Sequence, residues 1–245
     1  MKSPRPSRSR ILNLFSGLLR WSLRLLFLLV ILDLGYLAWI WPDWSSYRHG
    51  PIQRSSFILD YESEQRRDPD LPELNWNPVS LNNIPRVMER AVVIAEDSRF
   101  YSHDGVDWEA LGDAMEYNLE RGRLVYGGST ISQQTAKNLF LSASRNPLRK
   151  WHELVLTLAM EEKLSKQRIM EYYLNVAQFG PGLFGVDAAA RHYWGIPASR
   201  LTQRQAIELA AALPSPASTN PDARTPEYLR RVSKISRHFR QWADD

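Results

Sequence analysis

The amino-terminal 41 residues constrain the fold most, because they combine a long apolar run with charge on one side only. The run from Leu25 to Trp41, LLFLLVILDLGYLAWIW, has seventeen residues and a single charge, Asp33. With residues 18–24 added, it reaches the ~20 residues that a helix needs to cross a bilayer. We therefore predict a membrane-spanning anchor over residues 18–41, preceded by a basic tail over residues 1–17.

The flanks of this run predict its orientation. Residues 1–24 hold six Lys or Arg and no acid, and positive charge marks the cytoplasmic side of a membrane helix. Trp39, Trp41 and Trp44 fit an aromatic belt at the opposite interface. A cleaved signal peptide is the alternative, but no small-x-small cleavage site follows the run. We expect the bulk of the chain outside the cytoplasmic membrane.

The charge of the remaining chain argues against a nucleic-acid-binding protein. The net charge is +4, but beyond residue 24 the chain has 25 Lys or Arg against 27 Asp or Glu. The basic character therefore belongs to the flank of the anchor, and a basic pI alone does not indicate nucleic-acid binding. The absence of cysteine excludes a disulfide scaffold and a thiolate metal site.

Helical spacing dominates the rest of the chain, and strand signals are weak. Residues 42–74 are rich in Pro, Ser and charge and predict a tether, with one strand candidate at Ser56–Tyr61. Residues 122–128 predict a loop, and residues 226–245 predict a basic amphipathic helix. Further helices are predicted from Pro85 to the acids Glu96 and Asp97, and over Asp107–Arg121, Ser129–Leu141, Val186–Tyr193 and Thr202–Leu213. The run from Asn146 to Asn175, which has no Gly or Pro after Pro147, is also predicted to be helical.

The apolar stretch that ends in Glu96 and Asp97 is the first candidate site. Burial raises the pKa of a carboxyl group toward the working pH of a general base. A helix end whose acids meet solvent is the competing interpretation, and the stretch taken alone favours it. Taken alone, Phe100 is a core residue and His103 is a hydrogen-bonded structural histidine.

The stretch from Gly127 to Asn138, GGSTISQQTAKN, is the second candidate site. Glycines and hydroxyl residues at a helix start leave backbone N–H groups and the positive helix dipole for an anion. Ser129 or Thr130 would cap this helix, and Lys137 adds a positive charge two turns along. The signature of a nucleotide-binding P-loop is missing. An ordinary capped surface helix is equally compatible with the stretch.

A third cluster comprises Arg149, Lys150 and Glu153 in the run that Pro147 begins. Taken alone, it is an i,i+3 ion pair that contributes a few tenths of a kcal/mol. On a helical wheel, Glu153 shares a stripe with Lys150. The apolar stripe of the same run lies on another side, at Trp151, Leu154, Val155 and Leu158.

Taken in order, these clusters are much more specific than any one of them. They resemble the successive motifs of glycosyltransferase family 51, which polymerises peptidoglycan from lipid II, over roughly residues 75–225. The matching stretches are Glu96-Asp-x-x-Phe-x-x-His-x-Gly105, Gly128-Ser-Thr-Ile-x-Gln-Gln-x-x-Lys-Asn138, Arg149-Lys-x-x-Glu153, Lys166-x-x-Ile-x-x-x-Tyr-Leu-Asn175, Phe179-Gly-x-Gly-x-Phe-Gly185 and Glu208-x-Ala-x-Ala-Leu-Pro214. The family fold is mainly α, with a lysozyme-like helical lobe and a smaller membrane-proximal lobe, here preceded by one transmembrane helix. A chain ending near residue 245 leaves no room for a transpeptidase domain, so a monofunctional member is expected.

The resemblance implies roles for individual residues. Glu96 becomes the catalytic base, and Glu153 is the second carboxylate, which positions the leaving group or binds a divalent cation such as Mg²⁺ or Mn²⁺. Lys137, Arg149 and Lys150 would stabilise the departing pyrophosphate. No organic cofactor is implied. The remaining implied substrate-binding residues are Asp97, Phe100, His103, Ser129, Thr130, Gln133, Gln134 and Asn138.

The same resemblance implies partners and a location. The substrates are lipid II and the growing glycan strand, and cell-division or wall-synthesis proteins are further candidate partners. The anchor is expected in the bacterial inner membrane, with residues 42–74 as a periplasmic tether and residues 117–127 as a membrane-near connection. Two alternatives stay open: a lytic enzyme that cleaves peptidoglycan, and an inert scaffold that binds lipid II.

Overall fold

A computed structural model describes residues 8–122, 128–142 and 146–244 of the chain. The chain divides into two compact units, Met1–Trp41 and Pro42–Asp245. The first contains the helix α1, Arg8–Trp39, which is long and apolar enough to cross a membrane. Its leucines from Leu18 to Leu34 expose about half of their surface or more. The prediction of one N-terminal apolar helix is confirmed.

The second unit is mainly helical, as predicted. Its helices are α2 (Trp44–His49), α3 (Ser56–Arg67), α4 (Arg86–Glu96), α5 (Trp108–Arg121), α6 (Ile131–Phe140), α7 (Pro147–Lys163), α8 (Lys166–Val176), α9 (Val186–Trp194), α10 (Gln203–Ala212) and α11 (Pro226–Asp244). A small sheet contains β1 (Asn75–Trp76), β2 (Gln178–Gly180) and β3 (Leu183–Phe184) in the order β1-β3-β2. Strand β1 is parallel to β3, and β2 is antiparallel to it. Residues 123–127 of the predicted loop and membrane-near connection lie outside the described residues.

Helix α4 forms where the sequence predicts it and carries the first candidate acid at its end. Pro85 precedes its first turn, where a missing N–H costs nothing. Met88, Ala91 and Val92 are fully buried against α10 and α11. Because the helix ends at Glu96, its apolar face fixes where that carboxylate lies.

The strand predicted at Ser56–Tyr61 is wrong, because these residues begin helix α3. Ser55 caps the helix by accepting a hydrogen bond from the Ile58 N–H at 3.2 Å. The acids and glutamine that follow suit a helix better than a strand. Only Ile58 among the residues of α3 is fully buried. A short apolar cluster after a capping serine therefore starts a helix here rather than a strand.

The run from Asn146 to Asn175 is not one helix, since α7 ends at Lys163 and α8 begins at Lys166. Ser165 caps the second helix by accepting from the Arg168 N–H. The buried face of α7 is also not the apolar stripe of the sequence. Trp151 and Leu158 are half exposed, whereas Glu153 is 2% exposed. The polar side of α7, which contains Glu153, therefore faces the interior of the protein.

The tether segment after residue 41 is folded onto α8. The Arg168 guanidinium donates hydrogen bonds to the carbonyls of Tyr47 and Gly50. The Trp76 indole donates to the Asn175 carbonyl at 2.8 Å. These contacts join residues more than 90 positions apart, so residues 47–76 have a defined path along α8.

Helix α11 packs on α4 and α10. Tyr228, Ile235 and Phe239 are buried along one stripe of this helix, and the Tyr228 hydroxyl donates to the Glu208 carbonyl at 3.2 Å. Arg231 lies within the same stripe, one turn after Tyr228 and one before Ile235. This packing directs a charged residue of the C-terminal helix toward the end of α4.

Candidate active site

The Glu96 carboxylate lies at the centre of the candidate site and is 11% exposed. Its Oε2 accepts a hydrogen bond from the Gln134 amide at 2.9 Å, and its Oε1 accepts one from the Arg231 guanidinium. Burial raises the pKa of the Glu96 carboxyl above its usual value. The charge of Arg231, the hydrogen bonds from Gln134 and Arg231, and the charge of Lys137 oppose that rise. The carboxylate is therefore desolvated, and each of its oxygens accepts a hydrogen bond from a neighbouring donor.

Sequence reasoning missed two residues beside this acid. Arg231 comes from α11, 135 positions away. Its signal was available, because it is a charge within the apolar stripe of an amphipathic helix. Tyr173 of α8 is buried, and its hydroxyl donates toward the Gln134 Oε1 at 3.4 Å. Burial, followed by the charge of Glu96, raises the Tyr173 pKa well above its usual value.

Asp97, next to Glu96 in the chain, forms a hydrogen-bonded pair with His103. The Asp97 Oδ2 accepts from the Ile131 N–H at 2.9 Å, and the His103 Nε2 lies 3.1 Å from both Asp97 oxygens. Phe100 is fully buried, with the Lys166 ammonium 4.6 Å above its ring. The start of α6 therefore receives a protein carboxylate, and these three predicted residues support the loop that follows Glu96.

Thr130 and Gln133 are occupied by the cap of α6. The Thr130 hydroxyl accepts from the Gln133 N–H, and the Gln133 side chain accepts from the Thr130 N–H at 3.0 Å. The Thr130 hydroxyl also donates to the Gly105 carbonyl at 2.6 Å. Both residues are buried. Such a reciprocal cap fixes the first turn of the helix and occupies the Thr130 hydroxyl and the Gln133 side-chain oxygen.

A cluster of cations surrounds Glu153. The Arg149 guanidinium donates to its Oε2 at 2.8 Å, and the Lys150 ammonium contacts its Oε1. Lys150 also donates to the Ser129 hydroxyl at 3.2 Å. Burial lowers the Lys137 pKa, Glu153 raises it, and the charges of Arg149 and Lys150 lower it further. A buried acid thus gathers two cations next to a third that is partly desolvated.

Two cavities are lined by residues of this site. The larger, of about 410 Å³, has a polar side formed by Gln134, Lys137, Asn138, Arg149 and Tyr173. Its other lining residues are mainly apolar and include Phe57, Val176, Phe184, Leu213 and Pro214. The smaller, of about 220 Å³, is lined by Glu96, Asp97, Asp107, Ser129 and residues around them. Eight of the predicted residues therefore line a cationic cavity or an acidic one: Gln134, Lys137, Asn138 and Arg149 line the first, and Glu96, Asp97, Ser129 and Thr130 line the second.

The carboxylates among the described residues of this site are poorly suited to bind a divalent cation. Both Glu153 oxygens already accept hydrogen bonds from cations. Asp97, His103 and Asp107 offer ligand atoms within 4.8 Å of one another. However, Asp97 accepts from the Ile131 N–H, and Asp107 binds the Arg99 guanidinium through both oxygens. The protein satisfies these carboxylates itself, so no reaction step is assigned to a metal.

Comparison with known proteins places this chain in a family. Residues 68–240 match the family model described as Transglycosylase. The chain is 40% identical over 222 residues to the biosynthetic peptidoglycan transglycosylase of Laribacter hongkongensis, covering 91% of this chain and 97% of that relative. Relatives of the same name in Azoarcus sp. and Bordetella pertussis are each 45% identical. Each alignment covers 80% of this chain, with 85% and 82% of the respective relatives.

Proposed function

The chain belongs to the transglycosylase family, and on that premise we propose that it polymerises lipid II into β-1,4-linked glycan strands. Membership makes it a peptidoglycan glycosyltransferase, a transferase of cell-wall synthesis. The proposal adds the substrate, the stereochemistry and the residues. Transfer proceeds with inversion at the donor sugar and releases undecaprenyl diphosphate.

Glu96 is the general base of this reaction. Its carboxylate takes the proton from the C4 hydroxyl of the acceptor sugar, and that oxygen forms a bond to C1 of the donor. The bond between C1 and the diphosphate oxygen breaks on the opposite face, so the α-linked donor becomes a β-linked product. The electron pair of the broken bond leaves with the diphosphate.

The donors around Glu96 carry this assignment. Each of its oxygens accepts a hydrogen bond, one from Gln134 and one from Arg231, and hydrogen bonds to the charged form favour ionisation. A lytic enzyme needs a protonated carboxylic acid to assist an alcohol leaving group. An ionised carboxylate instead suits removal of a proton from an acceptor hydroxyl. This observation favours the synthase over the lytic alternative.

The cationic cavity suits the leaving group. A diphosphate departs as a stable anion, so it requires charge stabilisation more than a proton. Lys137 and Arg149 line the cavity, and Lys150 lies beside them on α7. We assign Glu153 to holding Arg149 and Lys150 in place. A requirement for Mg²⁺ or Mn²⁺ stays a prediction.

The N-terminal helix fits a single-pass protein of the inner membrane. We propose that the basic flank stays in the cytoplasm and that the catalytic unit lies on the periplasmic side. A lipid-linked substrate explains the anchor, because tethering raises the local concentration of enzyme and substrate at one surface. Division or wall-synthesis proteins are proposed as further partners.

The test is polymerisation of labelled lipid II by the purified full chain, with product length read on a gel. We expect strands from the wild type and a loss of roughly 10²–10⁴-fold for Glu96→Gln, the usual contribution of a general base. Glu89→Gln is the matched control, since Glu89 lies on the same helix two turns earlier. A second arm with EDTA measures the dependence on a divalent cation.

Three outcomes would contradict the proposal. Fragments released from finished peptidoglycan, with no polymer from lipid II, would support the lytic alternative. Binding of lipid II without any product from the wild type would support the scaffold. Near-full activity of Glu96→Gln would leave the family unchanged and remove the base assignment.

A further inference from the structure

We propose that Phe57, which precedes the matched family region, is a substrate-binding residue that holds the Lys137 ammonium against the diphosphate of the donor. The family match begins at residue 68, and none of the motifs of the sequence includes helix α3. The inference rests on the proposed function, because it assigns the cationic cavity to the donor. The new element is Phe57, which lies between the N-terminal anchor and the first motif and lines that cavity.

The start of helix α3 is fixed in place on both sides of Phe57. The Ser56 hydroxyl donates to the Leu139 carbonyl at the end of α6, at 2.9 Å. The Ser55 hydroxyl caps the helix, and Ile58 is fully buried. Since the residues before and after Phe57 are anchored, the position of its side chain is defined by the fold rather than by the ligand.

The Phe57 ring lies over a cation of the site. The Lys137 ammonium is 5.7 Å from the ring centroid, within the range of a cation–π interaction. Lys137 is half-buried, and burial is the largest cause that lowers its pKa. An aromatic face stabilises the ammonium where water cannot, and it restricts a flexible side chain to one direction. Both effects favour contact with an anion in the cavity.

The lining of the cavity indicates the class of ligand. Lys137 and Arg149 supply positive charge at one side, whereas Phe57, Val176, Phe184 and residues near them supply an apolar wall. A purely ionic ligand would leave that wall solvated, and a purely apolar one would bring no negative charge to the cations. A diphosphate joined to a hydrocarbon chain satisfies both sides. Phe57 belongs to both parts, because its ring contacts the cation and the residue lines the cavity together with the apolar side chains.

The test compares substitutions that separate the aromatic face from simple packing. Phe57→Leu keeps apolar volume and removes the face, whereas Phe57→Tyr keeps the face. In lipid II polymerisation we expect the KM of Phe57→Leu to rise about 3–30-fold with a smaller change in kcat, the range for a partly desolvated cation–π contact. Phe57→Tyr should retain a KM near that of the wild type. Leu59→Ala is the control, because Leu59 is half exposed on the same helix.

A double-mutant cycle with Lys137→Met distinguishes the contact from a general structural effect. Binding of lipid II is measured for the wild type, both single variants and the double variant. If Phe57 acts through Lys137, Phe57→Leu weakens binding in the wild type but not in Lys137→Met. Equal losses in both backgrounds would overturn the inference, as would a wild-type KM for Phe57→Leu or an equal loss for Phe57→Tyr. A wild type that neither binds nor polymerises lipid II would instead refute the proposed function itself.

Discussion

Replacing Arg231 by Gln should move the pH dependence of the enzyme, because this arginine opposes the effect of burial on Glu96. Burial raises the Glu96 pKa, and Arg231 is the largest influence that lowers it. The other groups that face this carboxylate are Gln134 and Lys137 on α6 and Tyr173 on α8. Without the guanidinium, burial has less opposition, and the Glu96 pKa rises further.

The direction and size of the effect follow from the role of a base. Only the ionised carboxylate accepts a proton, so activity rises with pH through the Glu96 pKa. An opposite charge in close contact typically changes a carboxyl pKa by about 1–3 units, and below the pKa each unit changes the ionised fraction about tenfold. We expect Arg231→Gln to lose roughly tenfold or more in kcat/KM on the acidic limb of the pH profile, below the Glu96 pKa. The loss should shrink as the pH increases.

The assay is the pH profile of kcat/KM for polymerisation of lipid II. The acidic limb should shift to higher pH in Arg231→Gln and stay near the wild-type position in Arg231→Lys, which keeps the charge. Arg230→Gln is the matched control, because the neighbouring Arg230 is exposed. An equal loss at every pH would mean that Arg231 only supports the fold. An unchanged profile would refute the coupling between Arg231 and the base.

Two further predictions concern the backbone and the membrane topology. Gly185 has φ +82° and ψ 150°, and an added Cβ would lie 2.8 Å from the Asn175 carbonyl oxygen, whereas Gly195 has φ +66° and open space. Gly195→Ala should therefore cost about 1–2 kcal/mol and Gly185→Ala clearly more, measured by denaturant unfolding in detergent; equal costs would contradict the steric argument. Because the chain has no cysteine, Ser7→Cys and Ala217→Cys can report orientation. An impermeant maleimide should label only Ala217→Cys from outside the inner membrane, and the reverse pattern would overturn the proposed topology.

Local chemistry explains which parts of the fold the sequence could predict. Helix α4 combines a proline before its first turn with apolar residues at helical spacing, and both signals act within a few residues. The start of α6 was predicted for the same reason, since Thr130 caps it by a bond to Gln133 three residues later. The structure brings Glu96 and Gln134 into contact, although the motifs alone gave only their order along the chain.

Helix α7 shows why amphipathic pattern alone failed. Its apolar stripe at Trp151 and Leu158 stays half exposed, and the polar side with Glu153 is buried. A helical wheel is usually interpreted on the assumption that the apolar side of a helix faces the protein. In α7, Arg149 and Lys150 instead neutralise a buried acid on the polar side. Pairing of charges makes such burial tolerable. The sequence contained the ion pair but gave no sign that it would be enclosed.

The contacts that complete the site come from both sides of the motif region. Phe57 precedes the family match, and Arg231 follows the last motif of the resemblance. Local pattern could not identify the partner of either residue, because each contacts a residue at least 80 positions away: Lys137 in one case and Glu96 in the other. Burial raises the pKa of Glu96, the proposed base, and Arg231 of α11 opposes that rise. Lys137, the cation proposed to face the leaving group, contacts Phe57 of α3. The proposed site therefore extends from α3 through Arg231 of α11, even though the motifs that identify the family occupy only its middle.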